Sequence, residues 1–230
     1  MANHVQLQKA LSSNPWFAAL PARARAAMLE QSEPARLRSG EMLFRQGDPP
    51  GGLYALVRGT LKMSSLREDG REAILAVLES GTWFGEISLI DNQPRTHDAT
   101  SLGQSEVLVL PRAAFDALMT DNAFAQAVAA LLAGRIRLLY GIVEDGALRS
   151  TRARIARRLL MLARGDATMA QQMRPRVPVS QEALAMMLGI SRQTLSKELK
   201  LLAQQHIIRI GYRSIEVLSE QGLRAMTDAA

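Results

Sequence analysis

The sequence predicts an α+β fold in which a β-rich N-terminal domain with flanking helices is joined through one long helix to a smaller C-terminal domain. Between Pro34 and Pro111 the apolar residues recur with a period of two in short runs separated by glycines, a pattern typical of a small antiparallel sandwich or barrel. From Asn122 to Leu148 the apolar period is that of a helix, and after Arg149 further helical segments precede a short hairpin. These changes of period predict domains at residues 1–121 and 149–230, with the long helix at 122–148.

The composition favours a folded chain that does not use cysteine chemistry. Of the 230 residues, 47% are hydrophobic, which is enough for a core in each domain. The sequence contains no Cys, which excludes a disulfide framework, a thiol nucleophile and a cysteine-ligated zinc or iron–sulfur cluster. The expected location is therefore the cytoplasm.

No membrane partner is expected from the sequence. The N-terminus shows no charged and then apolar leader pattern. The longest apolar stretch, Ala123 to Gly134, is interrupted by Gln126 and is too short to cross a membrane.

The excess positive charge is confined to the last third of the chain. The net charge is +6, but residues 1–148 carry 14 Lys and Arg against 16 Asp and Glu, whereas residues 149–230 carry 14 against 6. A basic module beside a near-neutral one is typical of a nucleic-acid or anionic-membrane surface. A basic domain without a polyanionic partner has the same signature.

The elements of the N-terminal domain follow from the same periodicities. Helical structure is expected from Val5 to Glu30, with breaks at Pro15 and Pro21, and again over Arg112–Thr120. The expected strands include the runs Leu53–Val57, Thr60–Met63, Ala73–Leu78 and Glu106–Leu110.

The long helix carries an apolar stripe that needs a partner. Its members step by four and three residues: Val128, Leu132, Arg135, Leu139, Ile142 and Gly146. The stripe either packs on the chain's own sheet or forms a two-stranded coiled coil in a homodimer. We favour the homodimer, because further apolar residues flank the stripe and allow the helix to contact both surfaces.

Residues 180–199 have the spacing of a helix-turn-helix. Ser180 and Ser191 are suited to cap the two helices, and Gly189 is suited to the turn between them. The expected shared core is Leu184, Leu188, Ile190, Leu195 and Leu199. The residues expected to face outward on the second helix have the chemistry that contacts base edges and phosphates: Arg192, Gln193, Thr194 and Lys197.

Two further features favour a DNA-binding domain over an ordinary helical hairpin. Ile207–Ile210 and Ile215–Leu218 flank a turn at Gly211–Ser214, which is the layout of a winged helix-turn-helix, and the charge of this module is positive. Glu198 departs from the motif at a position that is usually apolar, and Leu199 is expected to compensate.

The segment Phe84–Thr96 carries a second motif, whose candidate ligand residues are Gly85, Glu86, Ile87, Ser88, Arg95 and Thr96. Gly85 allows a ligand to approach the backbone, and a short helix beginning at Glu86 directs its first amides toward an anion. Arg95 adds a bidentate cation, Thr96 a hydroxyl donor, and Glu86 an acceptor for a ribose hydroxyl. These groups suit a sugar joined to a phosphate. A structural ion pair between Glu86 and Arg95 explains the same residues equally well.

With these two motifs in this order, the chain resembles the CRP/FNR family of bacterial transcription regulators, named for the cyclic AMP receptor protein and the fumarate-nitrate reductase regulator. The resemblance covers essentially the whole length. It implies a cyclic-nucleotide-binding β-roll, of the jelly-roll kind, a long dimerisation helix and a winged helix-turn-helix. The family's phosphate contacts then fall on Arg95, Thr96 and the amides near Ser88, and its ribose contact falls on Glu86.

The resemblance also implies partners. We expect a homodimer in which ligand binding reorients the long helices and sets two recognition helices on a double-stranded DNA operator with two half-sites. RNA polymerase is an expected partner of such a regulator.

Three departures from the family bear on the ligand and the operator. The family's adenine-contacting Thr-Ser pair falls on Leu139 and Tyr140, of which Tyr140 alone has a hydroxyl for this contact. His97 replaces a small residue after the Arg-Thr pair. Gln193 replaces a Glu in the recognition helix, so the operator is expected to differ at that base pair.

The expected ligand is cyclic AMP or a related cyclic nucleotide. The alternatives are cyclic di-GMP, a haem-bound gas with His97 or a Met as iron ligand, and regulation without a small molecule; the absence of Cys excludes an iron–sulfur cluster. We find no Walker loop, dinucleotide fingerprint, Gly-x-Ser-x-Gly elbow or hydrolytic His cluster, so no catalytic residues, metal site or enzyme activity are expected.

Overall fold

The structure, a computed structural model, describes residue 7 and residues 10–66, 72–165 and 174–228. Within these ranges it confirms the α+β class and the predicted order of a β domain, a long helix and a helix-turn-helix domain. The start of the helix predicted from Val5 lies outside the described residues.

The described part of the N-terminal domain contains two helices, eight strands interrupted by a short helix, and one further helix. In chain order these are α1 (Pro15–Ala19), α2 (Ala22–Glu30), β1 (Glu33–Leu37), β2 (Met42–Phe44), β3 (Gly52–Arg58), β4 (Thr60–Leu66), β5 (Glu72–Glu79), β6 (Trp83–Phe84), α3 (Glu86–Asp91), β7 (Asp98–Ser101), β8 (Ser105–Pro111) and α4 (Arg112–Met119). The helical segment is interrupted directly before Pro15 and again at Pro21, as predicted, and Pro15 is the first residue of α1, where its missing N–H costs no helical hydrogen bond.

Two four-stranded antiparallel sheets form the β domain, with strand orders β1-β8-β3-β6 and β2-β7-β4-β5. Side chains from both sheets, such as Leu56, Leu61 and Val107, meet in one buried core. The other face of the first sheet packs against the helices, where Phe17, Trp83 and other residues form a second core.

The long helix, α5 (Asn122–Leu148), is confirmed at its predicted bounds. The Asp121 carboxylate caps it by accepting hydrogen bonds from the amides of Ala123, at 2.8 Å, and Phe124, at 3.2 Å. Phe124 is buried in the helical core, and the Trp16 indole donates to the carbonyl of Ala127 at 2.7 Å. The first turns of α5 are therefore anchored in the N-terminal domain.

Beyond these turns α5 has two distinct faces. Arg135, Leu138 and Ile142 line a cavity in the chain itself. The opposite face is exposed and consists of small and apolar residues at a spacing of three and four: Ala129, Ala133, Ile136, Tyr140, Val143 and Ala147. We call these six residues the exposed seam. Of the predicted stripe, Val128, Arg135 and Ile142 face the chain's own interior, which agrees with the alternative of packing within the chain.

By length and composition alone, α5 is long and apolar enough to cross a membrane, with a mean hydropathy of 1.4 over its most apolar 18 residues. The expectation drawn from residues 123–134 was therefore wrong about the length of the apolar segment. It ended the segment at Arg135, whereas the apolar character continues past this residue to Val143.

A hinge at Arg149 separates α5 from α6 (Thr151–Ala163). The buried Asp145 carboxylate accepts hydrogen bonds from Arg149 Nε at 2.8 Å and from Arg157 Nε at 2.7 Å. Arg149 Nη1 also donates to the carbonyl of Thr227. One carboxylate on the long helix therefore binds an arginine at the hinge and an arginine beyond it.

The C-terminal domain is the predicted winged helix-turn-helix. After α6 it comprises β9 (Arg176–Val177), α7 (Gln181–Leu188), α8 (Arg192–Gln204), β10 (Ile208–Gly211), β11 (Ser214–Val217) and α9 (Glu220–Asp228). Its three strands form an antiparallel sheet in the order β10-β11-β9. Leu184, Leu188, Leu195 and Leu199 are buried in one core, and Ile190 packs against it, as predicted.

Candidate functional sites

A cavity of about 440 Å³ lies where α3, α5 and α6 meet the sheet β2-β7-β4-β5. This volume is in the range of small-molecule sites. Its polar lining consists of Glu86, Ser88, Arg95, Thr96, His97, Arg135 and Arg158. Apolar side chains supply most of the rest, among them Phe44, Met63, Leu75, Leu78, Phe84, Ile87, Leu138, Leu139 and Ile142. The cavity therefore brings together the motif of residues 85–96 and the long helix.

Glu86 begins α3 at the floor of this cavity and is fully buried. Its Oε1 accepts a hydrogen bond from Arg135 of α5, and Arg135 also donates to the carbonyl of Trp83 at 2.5 Å. Glu86 Oε2 has no hydrogen-bond partner among the described residues. A buried carboxylate oxygen without a partner is costly, so this atom is suited to accept a hydrogen bond from a ligand.

Arg95 is buried within the wall of the cavity. It donates to the carbonyls of Gly85, at 2.7 Å, and Gly52, at 2.9 Å, and its guanidinium carbon lies 4.7 Å from the ring centroid of Phe44. Arg95 Nε has no partner among the described residues. The alternative in which Arg95 forms an ion pair with Glu86 is not what the structure contains, because Glu86 pairs with Arg135.

Gly85 is required by its backbone and by its neighbours. Its φ is +95°, and a Cβ at this position would lie 2.8 Å from Tyr54 Cδ2 and 3.1 Å from Arg95 Nη1. Glycine therefore allows the chain to turn into α3 directly beside the Arg95 guanidinium.

The remaining motif residues line the cavity close to Arg95. The Ser88 hydroxyl donates to the carbonyl of Pro94 at 3.3 Å, and the Thr96 hydroxyl lies 2.7 Å from His97 Nδ1. Burial lowers the pKa of His97 below its ordinary value, Glu86 opposes this, and the cations Arg95 and Arg135 lower the pKa further. Burial and the neighbouring cations therefore favour the neutral form of the His97 ring.

The structure does not bring Tyr140 to the cavity. Its side chain is 72% exposed and belongs to the seam, while Leu138, Leu139 and Ile142 line the cavity from α5. Successive helical residues point about 100° apart, so Leu139 and Tyr140 do not face the same space. Within this chain, the predicted adenine contact from Tyr140 is replaced by an apolar wall.

No cluster of side chains that could bind a metal ion is found in the described part of the chain. Across residues 7, 10–66, 72–165 and 174–228, no three His, Asp or Glu side chains lie close enough to hold a metal ion.

The helix-turn-helix has the predicted caps. Ser180 Oγ accepts from the amide of Ala183 at 3.1 Å, and Ser191 Oγ accepts from the amide of Thr194 at 3.0 Å. Gly189 ends α7 with a φ of 63°, the left-handed conformation predicted for the turn. Ser180 is half-buried, whereas the candidate base-reading residues are exposed: Ser191, Arg192, Gln193, Thr194 and Lys197.

Glu198, the departure from the usual apolar pattern, has a partner. Its Oε2 accepts from Arg152 Nε of α6 at 2.7 Å, and its side chain is 17% exposed. Leu199 is fully buried, as expected. An ion pair between α6 and α8 thus takes the place of an apolar contact.

The family comparisons agree with this architecture. Residues 34–122 match the cyclic nucleotide-binding domain, and residues 153–226 match the Crp-like helix-turn-helix domain. The chain is 33% identical over 179 residues to the cyclic AMP receptor protein of Thermus thermophilus, covering 77% of this chain and 80% of that protein. It is 28% identical over 209 residues to a CRP-like cAMP-activated global transcriptional regulator of Mycobacterium tuberculosis, covering 90% and 93%.

Solved structures give the same result. A CRP-family transcriptional regulator from Thermus thermophilus superposes with a TM-score of 0.65 at 28% identity, covering 85% of this chain and 97% of that one. FixK2 from Bradyrhizobium japonicum shares the fold, with a TM-score of 0.75 at 23% identity over 86% and 98% of the two chains. The chain belongs to the CRP/FNR family of ligand-responsive, DNA-binding transcription regulators.

Proposed function

We propose that this regulator is a homodimer in which a cyclic nucleotide, held in the cavity between Glu86, Arg95 and the long helix, controls the orientation of two recognition helices. The observation that carries the ligand proposal is Glu86 Oε2, a buried acceptor without a partner in the described structure. It lies in a cavity that also contains the Arg95 guanidinium.

The lining fits a ribose joined to a phosphodiester. A ribose hydroxyl donates to Glu86 Oε2, and Arg95 Nε and the Thr96 hydroxyl donate to the phosphate. Ile87 and Ser88, at the start of α3, bring their amides to the same anion. The relatives named as cAMP-activated support a cyclic mononucleotide over cyclic di-GMP, a haem-bound gas or regulation without a ligand.

The exposed seam of α5 supports the homodimer. Ile136, Tyr140 and Val143 are at least half exposed in one chain and recur at the spacing of a two-stranded coiled coil. A second copy of α5 would bury them. Arg135, on the other face of the same helix, pairs with Glu86 beside the ligand. A movement of the helix therefore changes contacts at both the ligand site and the dimer interface.

The apolar character of α5 is better explained by this interface than by a membrane. Its seam is bordered by the charged residues Arg137 and Glu144, and its other face is occupied by its own domain. We therefore propose a cytoplasmic protein without a membrane partner.

In the DNA complex, α8 enters the major groove and reads it with Arg192 and Gln193. Arg192 forks onto guanine O6 and N7, and Gln193 pairs with adenine N6 and N7. Thr194, Lys197 and the capping serines Ser180 and Ser191 contact the phosphate backbone. Two copies bind half-sites about one helical turn, roughly 34 Å, apart.

The chain acts by binding and has no catalytic residues in this proposal. Its relatives are named as transcription regulators, and RNA polymerase is the proposed protein partner.

The test is calorimetry of the full chain with cyclic AMP, cyclic GMP and cyclic di-GMP, followed by gel shifts with and without the ligand that binds. We expect the protein to bind a cyclic mononucleotide, and Glu86→Gln and Arg95→Gln should each weaken this binding at least tenfold. The control is Arg23→Gln, which removes one positive charge, as Arg95→Gln does, from an exposed position on α2 and should leave the binding unaltered. Binding that survives in the Glu86 and Arg95 variants contradicts this assignment of the site.

The gel shift tests the DNA surface separately. DNA binding should increase with ligand and fall with Arg192→Ala. An Arg192→Ala protein that binds every tested operator as wild type does would remove Arg192 from the reading residues.

A further inference from the structure

One wall of the ligand cavity comes from the DNA-binding domain. Arg158 of α6 lines the cavity and is only 6% exposed. Its Nη2 donates to the carbonyl of Leu75 on β5 at 3.2 Å and lies 3.6 Å from Met187 Sδ on α7. The guanidinium is therefore held between the two domains, and the side chain lines the cavity.

Arg158 lines the cavity from α6 and follows a residue that is bound to α5. Its neighbour Arg157 pairs with Asp145 of α5 at 2.7 Å, and Arg157 Nη2 would be 3.2 Å from a Cβ on Gly141. Arg135, which binds Glu86, precedes Gly141 by six residues, or about 9 Å along the helix. Glu86, Arg135 and Arg158 line the same cavity of about 440 Å³, so a nucleotide whose ribose lies at Glu86 is placed in a space that Arg158 also borders.

Apart from Arg135, the α5 side of the cavity is apolar. Leu138, Leu139 and Ile142 supply its α5 side, and none of them can donate or accept a hydrogen bond through its side chain. Among the described residues that line the cavity, Arg158 is the one polar side chain outside the segment Glu86–His97 and Arg135. Arg158 is therefore the lining side chain left to select a base by hydrogen bonding once Arg135 is paired with Glu86.

We infer that Arg158 contacts the base of the bound nucleotide and makes the site prefer guanine to adenine. This inference rests on the proposed cyclic-nucleotide function. A guanidinium is a planar fork that only donates. Guanine offers two adjacent acceptors, O6 and N7, whereas adenine offers one acceptor beside an amino donor that opposes the fork.

The same contact makes the ligand touch both domains. The phosphate and ribose are held by the β domain, and the base is held by α6, two turns after the hinge. The affinity for the base then depends on where the DNA-binding domain lies, which links ligand choice to the orientation of the recognition helix.

The experiment is calorimetry of the full chain with cyclic GMP and with cyclic AMP, using wild type, Arg158→Lys and Arg158→Gln. Arg158→Lys keeps the charge and the alkyl stem but loses the fork. The control is Arg164→Gln, which removes the same charge at the C-cap that follows α6. Arg164 pairs with Glu220 and does not line the cavity. Circular dichroism and thermal unfolding without ligand show whether each variant is folded. If Arg158→Gln does not fold, the comparison rests on Arg158→Lys alone.

We expect wild type to bind cyclic GMP about fivefold to a hundredfold more tightly than cyclic AMP, the range a bidentate base contact provides. Arg158→Lys and Arg158→Gln should lose this preference mainly through weaker cyclic GMP binding, and Arg164→Gln should keep it.

Equal or tighter binding of cyclic AMP by wild type overturns the inference, as does a cyclic GMP preference that persists in the Arg158 variants. In both cases the proposed function stands, since a cyclic nucleotide binds. Failure of wild type to bind either nucleotide overturns the proposed function and this inference together.

Discussion

Glu86, buried on α3, is paired with Arg135, which follows it by 49 residues and lies in the middle of the long helix. The pair joins the ligand motif to the helix that carries the exposed seam. Arg135→Ala would leave the carboxylate buried with neither oxygen paired to a cation. We expect it to lower the free energy of unfolding by about 3–5 kcal/mol in urea titrations.

Two controls separate this effect from a general loss of helix stability. Arg137→Ala, at an exposed position two residues away, should change the free energy of unfolding by less than about 0.5 kcal/mol. Adding Glu86→Gln to Arg135→Ala should restore part of the loss, because the buried charge is gone. A double variant no more stable than Arg135→Ala contradicts this account.

Gly85→Ala should destabilise the protein through its backbone. The residue has a φ of +95°, and the added Cβ would lie 2.8 Å from Tyr54 Cδ2. Conformations of this kind cost about 1–3 kcal/mol for a residue with a side chain. The matched control is Gly103→Ala, where no atom lies within 4 Å of the new Cβ. Equal thermal stability of the two variants would show that Gly85 is not needed for this turn.

Ile136→Glu combined with Val143→Glu should convert the protein to monomer. Both side chains belong to the exposed seam, at 50% and 69% exposure, and two copies of each charge would face each other across the proposed interface. Sedimentation velocity measures the change. Arg137→Glu, which alters charge on the same helix outside the seam, should remain dimeric. A dimeric double variant would exclude the seam as the interface.

Lys197→Ala should weaken binding to all DNA sequences about equally. Lys197 is exposed on α8 and is the proposed phosphate contact. Loss of one phosphate contact reduces the slope of log K against log salt by about 0.9. Fluorescence anisotropy at several salt concentrations gives this slope. Arg23→Ala, which removes an exposed charge from the N-terminal domain, should not change it.

Stability should decrease as the pH falls below about 6.5 because of His97. Burial lowers the pKa of His97 in the folded state below the ordinary value of 6.5, so in this range the unfolded chain binds more protons than the folded one. The loss of stability begins near pH 6.5, accumulates as the pH falls toward the lowered pKa of the folded state, and levels off below that pKa. His97→Gln should reduce the slope of stability against pH, measured by denaturant titration between pH 5 and pH 7.5. An unchanged slope would mean that another group is responsible.

The order and type of the elements were predictable because each depends on local pattern. The period of the apolar residues predicted β3, β5 and β8 to within two residues at each end, and it gave both ends of α5. The helix caps were equally local, since Ser180 and Ser191 bond amides three residues away. The helix-turn-helix was therefore located correctly.

The pairings across the fold were not predictable in the same way. Arg135 was assigned to an apolar stripe because periodicity does not reveal a carboxylate 49 residues earlier. Glu198 was an unexplained departure until Arg152 was found beside it. Tyr140 was placed in the cavity by counting along the chain, and an error of one residue rotates a helical side chain by about 100°. Roles in ligand and DNA contact remain predictions.

Arg149 bonds both Asp145 of the long helix and the carbonyl of Thr227 in α9. α9 follows the recognition helix in the chain, and none of its described residues lines the ligand cavity. The junction between the long helix and the DNA-binding domain is thus held in part by an element that lies outside the ligand cavity and outside the helix-turn-helix. During divergence of the family, substitutions in α9 could retune how strongly the regulator responds while both specificities are inherited unchanged.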